Sequence, residues 1–270
     1  MRINTNLNAM IATNQMSKNT ALAGSSMEKL STGLRITKAG DDAAGLAVSE
    51  KMRAQIRGME QAERNVQDGI SMVQTAEGAL EEAGNIAQRM RELGVQAGND
   101  TLSDDDRTKV KEELKQLQDE MKKISEETKF NGKQLLNTAG TFTIQAGANS
   151  ETRTVKTADL SSIAKNLSLT STNISSTAEA QSFVTKVDKA LSSINDARSA
   201  LGAMQNRLEY TANNLTTSTE NLTAAESRIR DVDVAKEMVT LSKLNILNQA
   251  SQAMVSQAKQ QPESVSQLLR

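Results

Sequence analysis

An apolar repeat that almost nothing interrupts is the strongest constraint on this chain. From Met52 the apolar residues Met52, Ile56, Met59, Ala62, Val66, Ile70, Val73, Ala76, Leu80, Ala83, Ala87, Met90 and Ala97 recur by steps of three or four, with one gap at Gly94. That spacing predicts one amphipathic helix, on the order of 70 Å long at about 1.5 Å per residue. Gly98 and Asn99 follow as residues that tolerate a left-handed cap. A second helix is predicted after TLSDDD, where Val110, Leu114, Leu117, Met121 and Ile124 form a heptad seam. A third carries Phe183, Val187, Ala190, Ile194, Ala197, Leu201, Met204, Leu208, Thr211, Leu215 and Leu222 on the same grid. The only proline is Pro262, so loss of a backbone donor breaks none of these seams.

The fold class these seams predict is mainly α: a long antiparallel coiled-coil-like helical bundle, a rod, with a small β-hairpin. The hairpin is expected where TFTIQ and TRTVK alternate with period two around AGANS, followed by a Ser/Thr/Asn-rich loop to residue 176. Three Phe, one Tyr and no Trp agree with thin layers of aliphatic side chains in place of a thick aromatic core. The two ends carry narrow apolar stripes, Ile3, Leu7, Met10, Ile11, Leu22 and Leu30 at the start and Val234, Met238, Leu241, Leu244, Leu247, Ala250, Met254 and Ala258 at the end. Neither stripe alone offsets an ordering cost of about 1–2 kcal/mol per residue. The ends are therefore expected to order against each other, as an inner coiled coil, and against further copies of the chain.

Composition removes whole classes of function. With no His and no Cys, the usual zinc, copper and haem ligands and the commonest general base are missing. A net charge of −1 offers no basic field to nucleic acid or anionic lipid. No apolar stretch approaches the roughly 18 residues of a membrane span, and MRINTNLNAM has no apolar signal region. The acidic groups Asp41 and Asp42, Asp104 to Asp106, and Asp231 and Asp233 each precede an apolar-periodic segment. Helix capping explains that placement, and Ser103 with Asp106 has capping-box spacing. RDVDVAKEMV lacks the Gly and ligand rhythm of a calcium loop. Met52, Met59, Met90, Met121, Met204 and Met238 fall on the seams as core fillers. The N-x-[ST] matches at Asn166, Asn173, Asn214 and Asn221 are patterns short enough to arise by chance.

Several motifs together resemble the bacterial flagellins: MRINTN, KLSTGLRI, AGDDAAGLA, QTAEGAL, QRMRELGVQ, FNGKQLL, LGAMQNRLE, NLTAAESRIRDVDVAKEM and QASQAMVSQAKQQPESVSQLLR. The resemblance covers nearly the whole chain outside the hairpin and loop, and implies a short form without outer variable domains. It implies a structural filament subunit, with no catalytic, cofactor or metal site, that is secreted and polymerises into the extracellular flagellar filament for swimming. Residues 1–45 and 227–270 would be the two halves of the inner filament domain. Residues 46–136 would be long rod helices, 137–177 the hairpin and exposed variable loop, and 178–226 the returning rod helix. Implied partners are the chain itself, an export chaperone, the flagellar secretion apparatus, and the filament cap and hook-associated junction proteins; nucleic acid and membrane are not among them.

The residues expected to serve subunit assembly are Ile3, Leu7, Met10, Asp41, Asp42, Val234, Met238, Leu241, Leu244, Leu247 and Met254. Asp41 and Asp42 would cap a joint between the terminal segment and the long helix, with Gly40 and Gly45 allowing a turn and close packing. In flagellins seen by the vertebrate Toll-like flagellin receptor, an Arg and a Leu of the QRMRELGVQ motif and a Glu on the next helix matter. The matching residues are Arg89, Leu93 and Glu113, with Ile86, Arg89, Leu93 and Gln96 following helical steps on a face beside the core stripe. That face can equally serve packing between subunits. The rival within the family is a hook-filament junction protein, against which QQPESVSQLLR and AGDDAAGLA weigh. A flagellin with protease activity needs an HExxH motif that a chain without His cannot supply.

Overall fold

The computed structural model describes residues 6–167, 174 and 176–268, with side chains up to residue 260. Ile3, Asn173 and the opening MRINT lie outside the described residues. The chain divides into two units, one made of Met1–Ala54 with Glu220–Arg270 and one of Gln55–Thr219.

In the first unit, α1 (Leu7–Thr32) pairs with α6 (Val234–Leu268). The Asn6 side chain accepts from Ala9 N at 3.1 Å to start α1, and Gly33 ends it with φ 72°, a conformation that costs a β-carbon-free residue nothing. Asp233 Oδ1 accepts from Lys236 N at 3.1 Å at the start of α6. The two helices run antiparallel: Asn6 Nδ2 donates to Ala258 O at 2.6 Å, Thr20 Oγ1 to Asn248 Oδ1 at 3.5 Å, and Leu34 bridges Asp231. The first of these bonds follows from Pro262. Proline has no N–H to offer the carbonyl four residues earlier, so Ala258 O is left open and the Asn6 amide takes it.

The seam of this pair has an unexpected phase. Ala9, Ala12, Met16, Asn19, Ala23, Ser26 and Leu30 face Glu237, Leu241, Leu244, Asn248, Ser251, Val255 and Ala258, all buried or half-buried and all spaced three or four apart. The expected apolar stripes therefore do not form the seam, apart from Leu30, Leu241, Leu244 and Ala258. Leu7, Met10, Val234, Met238, Leu247 and Met254 are exposed instead. Small and amide side chains let two backbones approach, so the repeat that closes the pair is the less hydrophobic one.

The second unit holds most of α2 (Ala43–Ala97) and of α5 (Thr177–Arg230), which run antiparallel there, tied by Arg91–Asp188 at 2.7 Å, Arg198–Glu81 at 3.8 Å and Thr216–Glu63 at 3.3 Å. Val66, Val73, Ala76, Leu80, Ala83, Ala87 and Met90 are buried on one helix, and Phe183, Val187, Ala190, Ile194, Leu201 and Leu208 on the other. Both follow the 3.5-residue repeat of coiled-coil packing. The apparent gap at Gly94 is closed by Leu93, which is 2% exposed and sits three after Met90 and four before Ala97. Gly98 does not take a left-handed cap: the end of α2 tightens, with Gly98 N donating to Gly94 O and Val95 O, and Asn99 N to Gln96 O. The buried Arg107 folds back on this end and donates to Asn99 O at 3.2 Å.

Helix α3 (Asp104–Glu127) starts at Ser103, whose Oγ accepts from Asp106 N at 3.3 Å, and buries Val110, Leu114 and Met121. Strands β1 (Lys129–Phe130) and β2 (Lys133–Gln134) form a short hairpin through Asn131 and Gly132, both at positive φ. Strands β3 (Thr141–Gln145) and β4 (Thr152–Lys156) pair antiparallel with Thr143 opposite Thr154, the hairpin expected from TFTIQ and TRTVK. A short α4 (Leu160–Asn166), capped by Asp159, occupies part of the expected loop and packs on α3. Helix α5 opens with a reciprocal capping box, Glu179 N donating to Ser176 Oγ and Ser176 N to Glu179 Oε2.

Candidate assembly surface

Inverting the seam of the α1/α6 pair has a direct consequence for its outside. Val239 and Ile246, seven residues apart on one face of α6, are 71% and 63% exposed, and Met238, Leu247 and Met254 lie beside them. On α1, Leu7, Met10, Ile11, Leu22 and Met27 are more than half exposed. Most of the large apolar side chains lie outside, while Asn, Ser and Ala share the seam with Met16, Leu30, Leu241, Leu244 and Val255, which is not the partition of a helix pair built to stand alone in water. Exposed apolar surface on this scale marks an interaction site. Each such side chain contributes about 1.5–3 kcal/mol when a partner buries it.

The segment between α1 and α2 holds the same unit together. Arg35 N donates to Arg230 O at 2.6 Å and Val232 N to Gly33 O at 3.0 Å, which joins the end of α1 to the end of α5. Asp42 Oδ1 accepts from Gly45 N at 2.9 Å and so caps α2. Asp41 does something else: its Oδ2 accepts from Thr37 N, Thr37 Oγ1 and Lys38 N, closing the loop before the helix. A β-carbon at Gly45 would meet Ile36 and Asp42, so glycine is needed there for close approach. Of the remaining acids, Asp233 caps α6, and Asp231 Oδ2 accepts from Ser227 Oγ at 2.6 Å near the end of α5.

Two carboxylates of this joint titrate below their ordinary range. The Thr37 backbone N–H, with the Thr37 hydroxyl and the Lys38 N–H, lowers Asp41, and the Arg230 guanidinium, 2.6 Å from Glu50 Oε1, lowers Glu50. A folded-state value below the unfolded one adds stability above the unfolded pKa and loses it as pH falls through the folded one. The joint is therefore expected to hold unchanged from neutral pH to about 5 and to loosen below about 4. Amide exchange of residues 33–50 should speed up between pH 6 and pH 3 beyond the intrinsic pH effect. Protection that stays constant over that range contradicts the assignment.

The residues matching the receptor motif separate. Arg89 is exposed and pairs with Glu113 on α3 at 3.0 Å and with Glu92 at 3.1 Å, and Glu113 raises the Arg89 pKa. Leu93, expected on an accessible face, is buried in the α2 seam. Four residues after Arg89 it has turned about 40° further round the helix, which is enough to cross from surface to core. Among the described residues no group of three or more carboxylates could hold a metal ion, and no helix is long and apolar enough to cross a membrane.

Comparison with known proteins places this architecture. Residues 3–141 match the Bacterial flagellin N-terminal helical region and residues 184–269 the Bacterial flagellin C-terminal helical region. The flagellin of Halalkalibacterium halodurans is 54% identical over 275 aligned residues, and that of Bacillus subtilis 49% over 306, each alignment covering all of both chains. The crystal structure of Bacillus cereus flagellin is similar with a TM-score of 0.52 and 36% identity, over 60% of this chain and 94% of that one. With both helical regions matched and relatives aligned from end to end, this chain belongs to the bacterial flagellin family, as a short form.

Proposed function

We infer that this flagellin, a structural subunit of the flagellar filament, polymerises through the outer faces of α1 and α6. The observation that carries the reading is the inverted seam, which leaves Leu7, Met10, Val234, Met238, Leu247 and Met254 facing outward with no partner inside the unit. Residues 1–45 and 227–270 then form the inner filament domain, with Ile3 as part of its assembling end. Asp41 and Asp42 serve assembly indirectly, by fixing the path from α1 into α2. A contact between two different faces of successive copies does not close on itself and propagates as a helical polymer, the symmetry a filament needs. The subunit acts mechanically and carries no catalytic role.

Ordering of the α1/α6 pair is completed by neighbouring copies. In dilute monomer both helices should exchange their amides at least about 100-fold faster than in the polymer, equivalent to a few kcal/mol of added local stability. Equal protection in the two states contradicts the assignment of these helices as the assembling surface. The same exposed faces suit capture by an export chaperone, secretion in an unfolded state through the flagellar apparatus, and contact with the filament cap and hook-associated proteins at the filament ends.

A second reading concerns the exposed Arg89–Glu113 pair. The vertebrate Toll-like flagellin receptor would read this pair from outside, while buried Leu93 sets the position of the turn that carries Arg89. Monomer with Arg89→Ala should give a weaker response in receptor-reporter cells than wild type at equal folded concentration. An equal response removes the receptor from the account.

A further inference from the structure

Only four aromatic residues occur in the chain, and three of them lie outside its core. Phe130 and Phe142 are half-buried and line a groove of about 460 Å³ between α2 and the β3–β4 hairpin, with Met72 and Ile144 on its apolar wall and Asp68 and Lys133 on it as charged groups. Tyr210, on α5, is 75% exposed. The α2–α5 ion pairs Arg91–Asp188 and Arg198–Glu81, with the Thr216–Glu63 bond, set the register that brings Tyr210 level with the α2 turn carrying Asp68 and Gly69. Knob and groove thus stand at one height of the same unit, on different elements.

Their charges complement each other. Arg207 lies one turn before Tyr210 on the same face, and Glu209 adjoins it. The groove offers the opposite set, Asp68 and Lys133. Among the described residues Asp68, Lys133 and Arg207 make no side-chain hydrogen bond or ion pair, so their charges are available to another molecule. A Tyr is also the side chain best suited to such a site, since its ring packs on Phe edges while the hydroxyl keeps a polar contact.

We propose that Tyr210 of one copy seats in the Phe130/Phe142 groove of a second copy, with Arg207 meeting Asp68 and Glu209 meeting Lys133. The occupant is a second copy of this chain because both halves of the contact are on the chain. The two halves differ, so the contact is heterologous and repeats from copy to copy. This rests on the polymerisation reading above and adds to it a lateral contact through the second unit, separate from the α1/α6 surface.

The chain has no Cys, so the contact can be tested by disulfide trapping. Tyr210→Cys and Thr143→Cys proteins, mixed in equal amounts, polymerised and oxidised, should yield a disulfide-linked dimer in filaments and none in the unpolymerised mixture or in either protein alone. Filaments with no dimer overturn the proposal and leave the polymerisation reading standing, whereas a wild-type protein that forms no filaments overturns the reading itself. Charge exchange supplies an independent arm if the Cys proteins do not polymerise. Asp68→Lys or Arg207→Glu alone should raise the critical concentration about tenfold, and the two together should restore it. Additive loss in the double variant overturns the pairing.

Discussion

Phe183→Ala is expected to lower the stability of the helical core by about 3–5 kcal/mol. Phe183 has no exposed surface and is the only fully buried aromatic among the described residues. It stands one heptad step from Ala180 and Val187 on α5 and packs on α2 where Gly94 has no side chain. A β-carbon at Gly94 would lie 3.1 Å from the Phe183 ring. The glycine and the ring are thus one packing unit, and removing the ring leaves a cavity that the neighbouring glycine cannot fill. Urea unfolding followed by helical circular dichroism should show the midpoint fall with the slope unchanged. A loss under about 1 kcal/mol contradicts the packing described for this level of the core.

The second large effect is on assembly and leaves folding alone. Val239→Lys together with Ile246→Lys is expected to raise the critical concentration for polymerisation at least about 100-fold, since each loses about 1.5–3 kcal/mol of burial and adds a charge to an apolar contact. Both positions point away from the α1-facing seam of α6 and are among its most exposed apolar residues. The monomer's thermal unfolding should shift little, because the substituted side chains touch solvent there. Normal polymerisation of the double variant would remove this face from the account.

What could be read from the residues depended on what each helix buries. The α2, α3 and α5 seams were legible because their apolar residues, Ala included, recur mainly in one phase, and that phase is the buried one. The α1/α6 seam was legible only in part, through Leu30, Leu241, Leu244 and Ala258, because Ala, Ser, Asn and Glu fill most of its other positions while larger apolar residues hold the opposite phase. Counting apolar residues there selects Leu7, Met10, Val234 and Met238, which are outside. The stripe so found is a real feature of the sequence, and it lies on the outside of the pair. Leu93 was misplaced for a related reason: the seam drifts past Gly94, and a glycine at the expected position hides the leucine beside it that continues the repeat.

Local signals account for the other differences. Asn131-Gly132 between short polar strands is a turn signature, and Ser176-Thr-Ala-Glu179 is a capping box, so the β1–β2 hairpin and the true start of α5 were both present in the sequence. Asp41 and Asp42 are adjacent and alike in type, yet only Asp42 reaches a helix N-terminus. Asp41, one residue further from the helix, takes up three donors of the preceding loop. No periodicity argument separates two such neighbours. The tie between Asn6 and Ala258 needed both ends of the chain in view, because it joins an amide at one terminus to a carbonyl that Pro262 frees at the other.

In the proposed assembly the exposed apolar faces of α1 and α6 drive an open polymer. Electron microscopy of purified protein, seeded and held above its critical concentration at neutral pH, tests it most directly. Long helical filaments are expected, with none from the Val239→Lys, Ile246→Lys protein at the same concentration. Closed rings, or no polymer from the wild-type chain under any seeding condition, would contradict it.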